Sequence, residues 1–183
     1  KWEFINYCKP GNELANAIKI ALSKRHVDVL ILSNHGLVVG AETPLEAELI
    51  QTKVVKTLEC NVRKKQAINL DKLKYLQESI PEIYLPSDDI VHTLAADLWS
   101  NKLVKMSPYS PDHAVFCGVN PLCFDNIEQD WNLISTKSDY AIIDGLGVVL
   151  LGKNNKLLEK MLIAQAEVFL RIPINQKVKL ISE

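Results

Sequence analysis

At 183 residues the chain is long enough for one domain with a sizeable core, or for two very small ones. Its 21 Lys and Arg against 22 Asp and Glu leave a net charge of −1, which excludes the global positive field that condenses a protein on nucleic acid or an anionic membrane. A composition that is 48% hydrophobic and 23% charged excludes the disordered and collagen-like classes, and no apolar run reaches the roughly 18–20 residues of a membrane span.

The N-terminal Lys-Trp-Glu-Phe-Ile-Asn-Tyr-Cys lacks the basic region and apolar stretch of a secretory signal. Pro10-Gly11 marks a turn, Asn12 is the expected cap, and a first helix is expected over 12–25 with the apolar stripe Leu14, Ile18, Ala21 and Leu22. His26 ends a basic segment and reads as a solvated partner of the helix dipole. Residues 27–32 form the continuous aliphatic run of a strand buried on both faces, and Ser33-Asn34-His35-Gly36 interrupts it before Leu37-Val38-Val39 resumes. Thr43-Pro44-Leu45-Glu46 combines an N-cap, a proline at the first helical position and a glutamate at the third. A long helix over 44–67 is expected to follow, with Ala47, Ile50, Val54, Leu58 and Val62 as its apolar stripe and Arg63, Lys64 and Lys65 as a solvated C-terminus.

Residues 70–87 read as a polar connector with a short helix at 71–78, and residues 90–103 carry a helical period that includes His92. The segment 107–113 is too rich in proline for regular structure, and Ala114–Cys117 reads as a short strand. An internal echo then appears. The run Asp28 to Gly40 recurs 111 residues later from Asp139, again as strand, glycine turn and strand, followed by a helix over 154–171 with the stripe Leu157, Met161, Ile163, Ala164 and Val168. In the second copy Gly145-Leu146 stands where the first has Asn34-His35.

Cys8, Cys60, Cys117 and Cys123 are too few and too irregularly spaced for a disulfide scaffold, and no C-x-x-C pair is present, so four thiols in a reducing, cytoplasmic compartment are expected. His35 sits in a turn between two apolar strands, where an imidazole serves equally as a metal ligand, an acid–base group or a hydrogen-bonded turn residue. His113 follows Asp112, which can orient its ring or cap the next element. No H-x-H, H-E-x-x-H, P-loop or G-x-S-x-G is present, and Gly145-Leu146-Gly147 lacks the third glycine of a dinucleotide loop.

Pro10-Gly11-Asn12-Glu13-Leu14-Ala15, then Leu30 to Gly40 with Ser33-Asn34-His35-Gly36, then Thr43-Pro44-Leu45-Glu46-Ala47, resembles the class II aldolase/adducin-head family over residues 5–65. Ser110-Pro111-Asp112-His113, Asp144 to Gly147 and Ala166-Glu167-Val168 look like the C-terminal part of the aldolase half of bifunctional rhamnulose-phosphate aldolase/alcohol dehydrogenase-like proteins. The resemblance implies a three-layer α/β/α fold around a mixed sheet. Residues 1–183 would then be a single aldolase-like domain or its C-terminal portion, with an Asn-His-Gly unit at 1–68, a helical connector at 69–106 and a second strand-turn-strand-helix unit at 107–183.

It also implies a zinc ligand at His35 and retro-aldol cleavage of a sugar phosphate, with His113 as a candidate contributor to the site. A homo-oligomer is implied as well. The family's upstream H-x-H pair, acid–base glutamate and phosphate loop have no counterparts here, so the isolated chain is not expected to be active. A non-catalytic assembly role, as in the adducin head, and dehydration of a methylthioribulose phosphate are the alternatives.

Overall fold

A computed structural model describes residues 1–106, 108–134, 138–152 and 155–181, and the chain separates into two compact units, Lys1–Cys60 and Asn61–Glu183. It is an α/β protein with two mixed sheets rather than the one expected. Among the described residues no helix is long and apolar enough to cross a membrane.

The first unit runs β1 (Trp2–Ile5), α1 (Asn12–Lys24), β2 (Val29–Leu32), β3 (Gly36–Val39) and α2 (Pro44–Thr57). β1 pairs in parallel with β2, and β2 pairs antiparallel with β3, giving the order β1-β2-β3. Ile5, Val27, Leu30 and Leu32 form the core against Leu14, Ala17, Ile18 and Ala21 of α1, a spacing of three and four that puts all four on one helix face. Leu22, expected on that stripe, is exposed. Asn12 does not cap α1: it is the first helical residue, Gly11 takes the cap position at φ 112°, and no side chain bonds the first turn. Thr43 caps α2 as expected, its Oγ1 accepting the Glu46 N–H at 3.2 Å, while Glu46 accepts the Glu42 N–H at 3.2 Å. Of the expected α2 stripe only Val54 is buried.

α2 stops at Thr57, ten residues earlier than its sequence period implies. Arg63, expected in the solvated end of that helix, belongs instead to the second unit. Its backbone N–H donates to Leu170 O at 2.9 Å, its guanidinium to Phe169 O at 2.9 Å and to Ile172 O, and its Nη2 to Ser100 Oγ at 3.0 Å and to the Asp97 carboxylate. A residue committed to these acceptors cannot also continue a helix from 57.

The second unit runs α3 (Asp71–Ser79), β4 (Ile83–Tyr84), a 3₁₀ turn (Asp89–His92), α4 (Thr93–Ala96), α5 (Leu98–Val104), α6 (Pro111–Cys117), β5 (Leu122–Phe124), α7 (Trp131–Ile134), β6 (Tyr140–Ile143), β7 (Gly147–Leu151) and α8 (Lys156–Arg171). Its sheet has the order β4-β7-β6-β5, with β5 and β6 parallel and the other pairs antiparallel. The expected helix over 90–103 is a 3₁₀ turn, α4 and α5 instead, and the break between α4 and α5 is made by Asp97, which leaves the helical region and whose side chain accepts the Ser100 N–H at 2.8 Å, starting α5 afresh. The expected strand at 114–117 is helix. Ser110 caps it, accepting the His113 N–H at 3.2 Å, and Pro111 occupies the first turn. Ser107 lies outside the described residues, as does Asn154 at the expected start of α8.

α8 begins after Asn155, whose side chain accepts from Leu157 and Leu158, and it buries Leu158, Leu162, Gln165, Ala166, Phe169 and Leu170. The expected stripe is therefore turned away by about one residue: Leu157 and Val168 are exposed. The two sheet faces of this unit carry separate cores, one with Tyr140, Ile142, Val148 and Leu150, the other with Ala141, Ile143, Val149 and Leu151. This alternation is the period-two signature of a strand pair covered on both sides.

The echo is a structural repeat that reaches further than the sequence run. β1-α1-β2-β3-α2 and β5-α7-β6-β7-α8 have the same order and the same pairing senses. Matching backbone bonds recur: Ser33 N–H to Ile5 O at 2.9 Å and Asp144 N–H to Phe124 O at 2.8 Å, then Gly40 N–H to Asp28 O at 2.9 Å and Leu151 N–H to Asp139 O at 2.8 Å.

Candidate functional site

The Asn34-His35-Gly36 turn is built by its backbone. His35 N–H donates to Leu32 O at 3.1 Å, and Asn34 adopts φ 62°, a left-handed conformation that asparagine tolerates better than most side chains. In the second copy Leu146 N–H donates to Ile143 O at 3.0 Å, and glycine takes the equivalent position, Gly145 at φ 70°. Ser33 Oγ donates to Asn34 Oδ1 at 2.7 Å, holding the asparagine side chain beside the turn.

His35 is half-buried. Its Nε2 lies 2.9 Å from the Cys8 carbonyl, and its ring stacks on Tyr7 at 5.4 Å between centroids with the planes 14° apart. A carbonyl oxygen only accepts, so Nε2 carries the proton in this contact and the neutral ring has its lone pair on Nδ1. A histidine that donates one N–H to a backbone carbonyl has the tautomer and orientation that metal-ligating histidines take from their surroundings. Yet one nitrogen is not a site. A catalytic zinc takes three protein ligands, and no group of three or more His, Cys, Asp or Glu is assembled among the described residues. The described residues do not by themselves fit a closed metal centre.

The other histidine candidates have contacts of their own. His26 is exposed and pairs with Asp28 Oδ1 at 2.6 Å. His113 belongs to the second unit, where α6 buries it to 3% exposure beside Tyr109, ring to ring at 5.2 Å. Burial holds its pKa below the ordinary histidine value, with a nearby Gln165 amide opposing. Tyr140 and Cys117 share this apolar core, and burial pushes the Cys117 thiol up to about 12, so it is inert as a nucleophile near neutrality. All four cysteines are thiols.

His92, which looks unremarkable in an apolar stretch of the sequence, is fully buried. Its Nδ1 accepts the Val148 N–H at 3.1 Å, and burial lowers its pKa despite the opposing charge of Asp89. The one sequence signal for it is Gly147: a Cβ there would lie 2.6 Å from His92 Nδ1 and 2.6 Å from Leu73 Cδ1. Arg63 and Asp97 were equally hidden, because a bond partner more than thirty residues away leaves no local pattern. Asp97 stays below the usual carboxylate range: burial would raise it, and the bonds from Ser100 and Arg63 outweigh that.

Compared with known proteins, the chain matches no family model, no curated protein and no solved structure.

Proposed function

We propose that the first unit is part of a class II aldolase-like protein, and that His35 is one ligand of a zinc ion that serves retro-aldol cleavage of a sugar phosphate. The observation that supports this reading is the turn itself: an imidazole at the junction of two paired strands, oriented by the Cys8 carbonyl and Tyr7, with Nδ1 as its lone-pair nitrogen. The other ligands, the acid–base group and the phosphate loop come from outside the described residues, so the chain alone is not expected to cleave an aldol. His113, deep in the second unit's core, has no assigned part in this chemistry.

A second reading, a non-catalytic assembly module of the adducin-head kind, draws on a different observation. The first unit exposes Phe4, Leu37, Val38, Leu45, Leu49 and Val55, apolar side chains of the kind an assembly contact would cover.

Elemental analysis of the purified chain, with His35→Ala beside it, tests the first reading. About one zinc per chain, or per oligomer site, lost in the variant, supports the aldolase-type site. Zinc that stays bound in His35→Ala overturns it, and metal-free protein that forms the same defined oligomer with or without His35 favours the assembly role.

A further inference from the structure

α6 is a seven-residue helix, too short to persist without its packing. It lies against α8 and buries His113 and Cys117, one turn apart on its inner face, while Asp112, Val115 and Phe116 stay exposed. Undocking it uncovers little apolar surface, which makes α6 a candidate for local opening. Its inner face is also poorly satisfied. Nδ1 and Nε2 of His113 are both buried without a hydrogen-bond partner among the described residues, and so is Oε1 of the nearby Gln165. A neutral imidazole has one N–H and one lone pair, so the docked helix leaves both unused, and a proton would add a second unmet donor and a buried charge.

The surroundings give that charge no counterion. Tyr109 and Cys117 from its own segment, Gln165 from α8 and Tyr140 of β6 beside Cys117 are neutral, and burial raises both tyrosines and the thiol above their ordinary values. Asp112 and Asp139 are exposed, as are Lys160, Glu167 and Arg171 of α8. Glu159, the one inward acid of α8, accepts the Ser87 N–H and hydroxyl.

We propose that α6 is an acid-released flap: protonation of the His113 ring frees this helix from α8 while the sheet stays folded, and so uncovers Cys117. The direction follows from burial. The docked ring holds a proton less well than a free histidine, so the open form is favoured as pH falls below about 6.5. His92 provides the contrast, because its Nδ1 accepts from Val148 in an interior strand and the Val148 amide therefore reports opening of the sheet itself. The flap lies in the second unit and does not rest on the reading of His35.

The test treats the full chain with 4,4′-dithiodipyridine, a neutral disulfide, at pH 7, 6 and 5, and reads the mixed disulfide at Cys117 by peptide mass. Dividing each rate by that of the same thiol in the urea-unfolded chain gives the opened fraction, and hydrogen exchange at the Val148 amide gives the corresponding fraction for the sheet. The opened fraction at Cys117 is expected to rise on the order of tenfold from pH 7 to pH 5. It should stay at least about a hundredfold above that at Val148 throughout. His113→Gln, which keeps a polar side chain and removes the titration, should abolish the rise. An opened fraction at Cys117 that is level with pH overturns the proposal, as does one that coincides with the Val148 value or a rise that persists in His113→Gln. The first two readings use the unaltered chain and decide the matter even if the variant fails to fold.

Discussion

The repeat supplies its own control for one substitution, alanine at the glycine that opens the second strand of each turn. At Gly147 the added Cβ would lie 2.6 Å from both His92 Nδ1 and Leu73 Cδ1, and both residues are fully buried, so neither can swing into solvent. Overpacking of this kind costs about 1–3 kcal/mol. The backbone at φ 155° adds a conformational penalty of about 1–2 kcal/mol, for a total of about 2–5 kcal/mol. At Gly36 the backbone is also positive, at φ 134°, but nothing lies within 4 Å of the added carbon, so only the conformational term of about 1–2 kcal/mol applies.

Urea unfolding monitored by tryptophan fluorescence separates the two. Trp2 reports on the first unit, and Trp99 and Trp131 report on the second. With an m-value of about 1.5 kcal/mol/M, Gly147→Ala should lower the midpoint of its unit by about 1.3–3.3 M, and Gly36→Ala by about 0.7–1.3 M. If Gly147→Ala costs no more than Gly36→Ala, the packing of His92 against the turn is refuted.

Other predictions follow from the buried polar groups. His92 and His113 have folded pKa values below the unfolded value of about 6.5, so their contribution to stability is fully present above that pH and is lost as pH falls below it. The loss should approach about 1.4 kcal/mol per pH unit for each histidine, and urea midpoints that stay level from pH 7 to pH 5 would contradict it. Arg63→Ala strands the Asp97 carboxylate and the last carbonyls of α8, and should destabilise the second unit by about 3–5 kcal/mol in equilibrium unfolding. Ser110→Ala removes the cap of α6 and should cost about 1 kcal/mol in the same assay, against nothing measurable if the segment were irregular.

Local signals were legible and distant ones were not. Thr43-Pro44 and Ser110-Pro111 are the same device, a hydroxyl cap followed by proline, yet only the first announces its helix, because the second is embedded among further prolines that read as loop. The strand pairs around both turns were clear from their aliphatic runs, yet burial on both faces holds only for the second pair: in the first, β2 is largely buried and β3 is exposed. In α8 the period was visible but its phase was not: Leu157 and Leu158 are equally apolar, and only the packing of Leu158, Leu162 and Phe169 decides which row turns inward. The turn histidine was found through its neighbours Asn34 and Gly36. His92 was missed because its defining partner, the Val148 N–H, is 56 residues away.

The Arg63 contacts carry a kinetic consequence as well. Their bond to Phe169 joins residues 106 positions apart, so it closes nearly the whole length of the second unit. Loop closure on that scale is entropically unfavourable until α5 and α8 are already formed and docked, which places these bonds after the folding barrier. They act as a latch: Arg63→Ala should leave the refolding rate nearly unchanged and appear almost wholly as faster unfolding. That outcome would mean that the lifetime of the folded second unit is set by a side chain that takes no part in starting it.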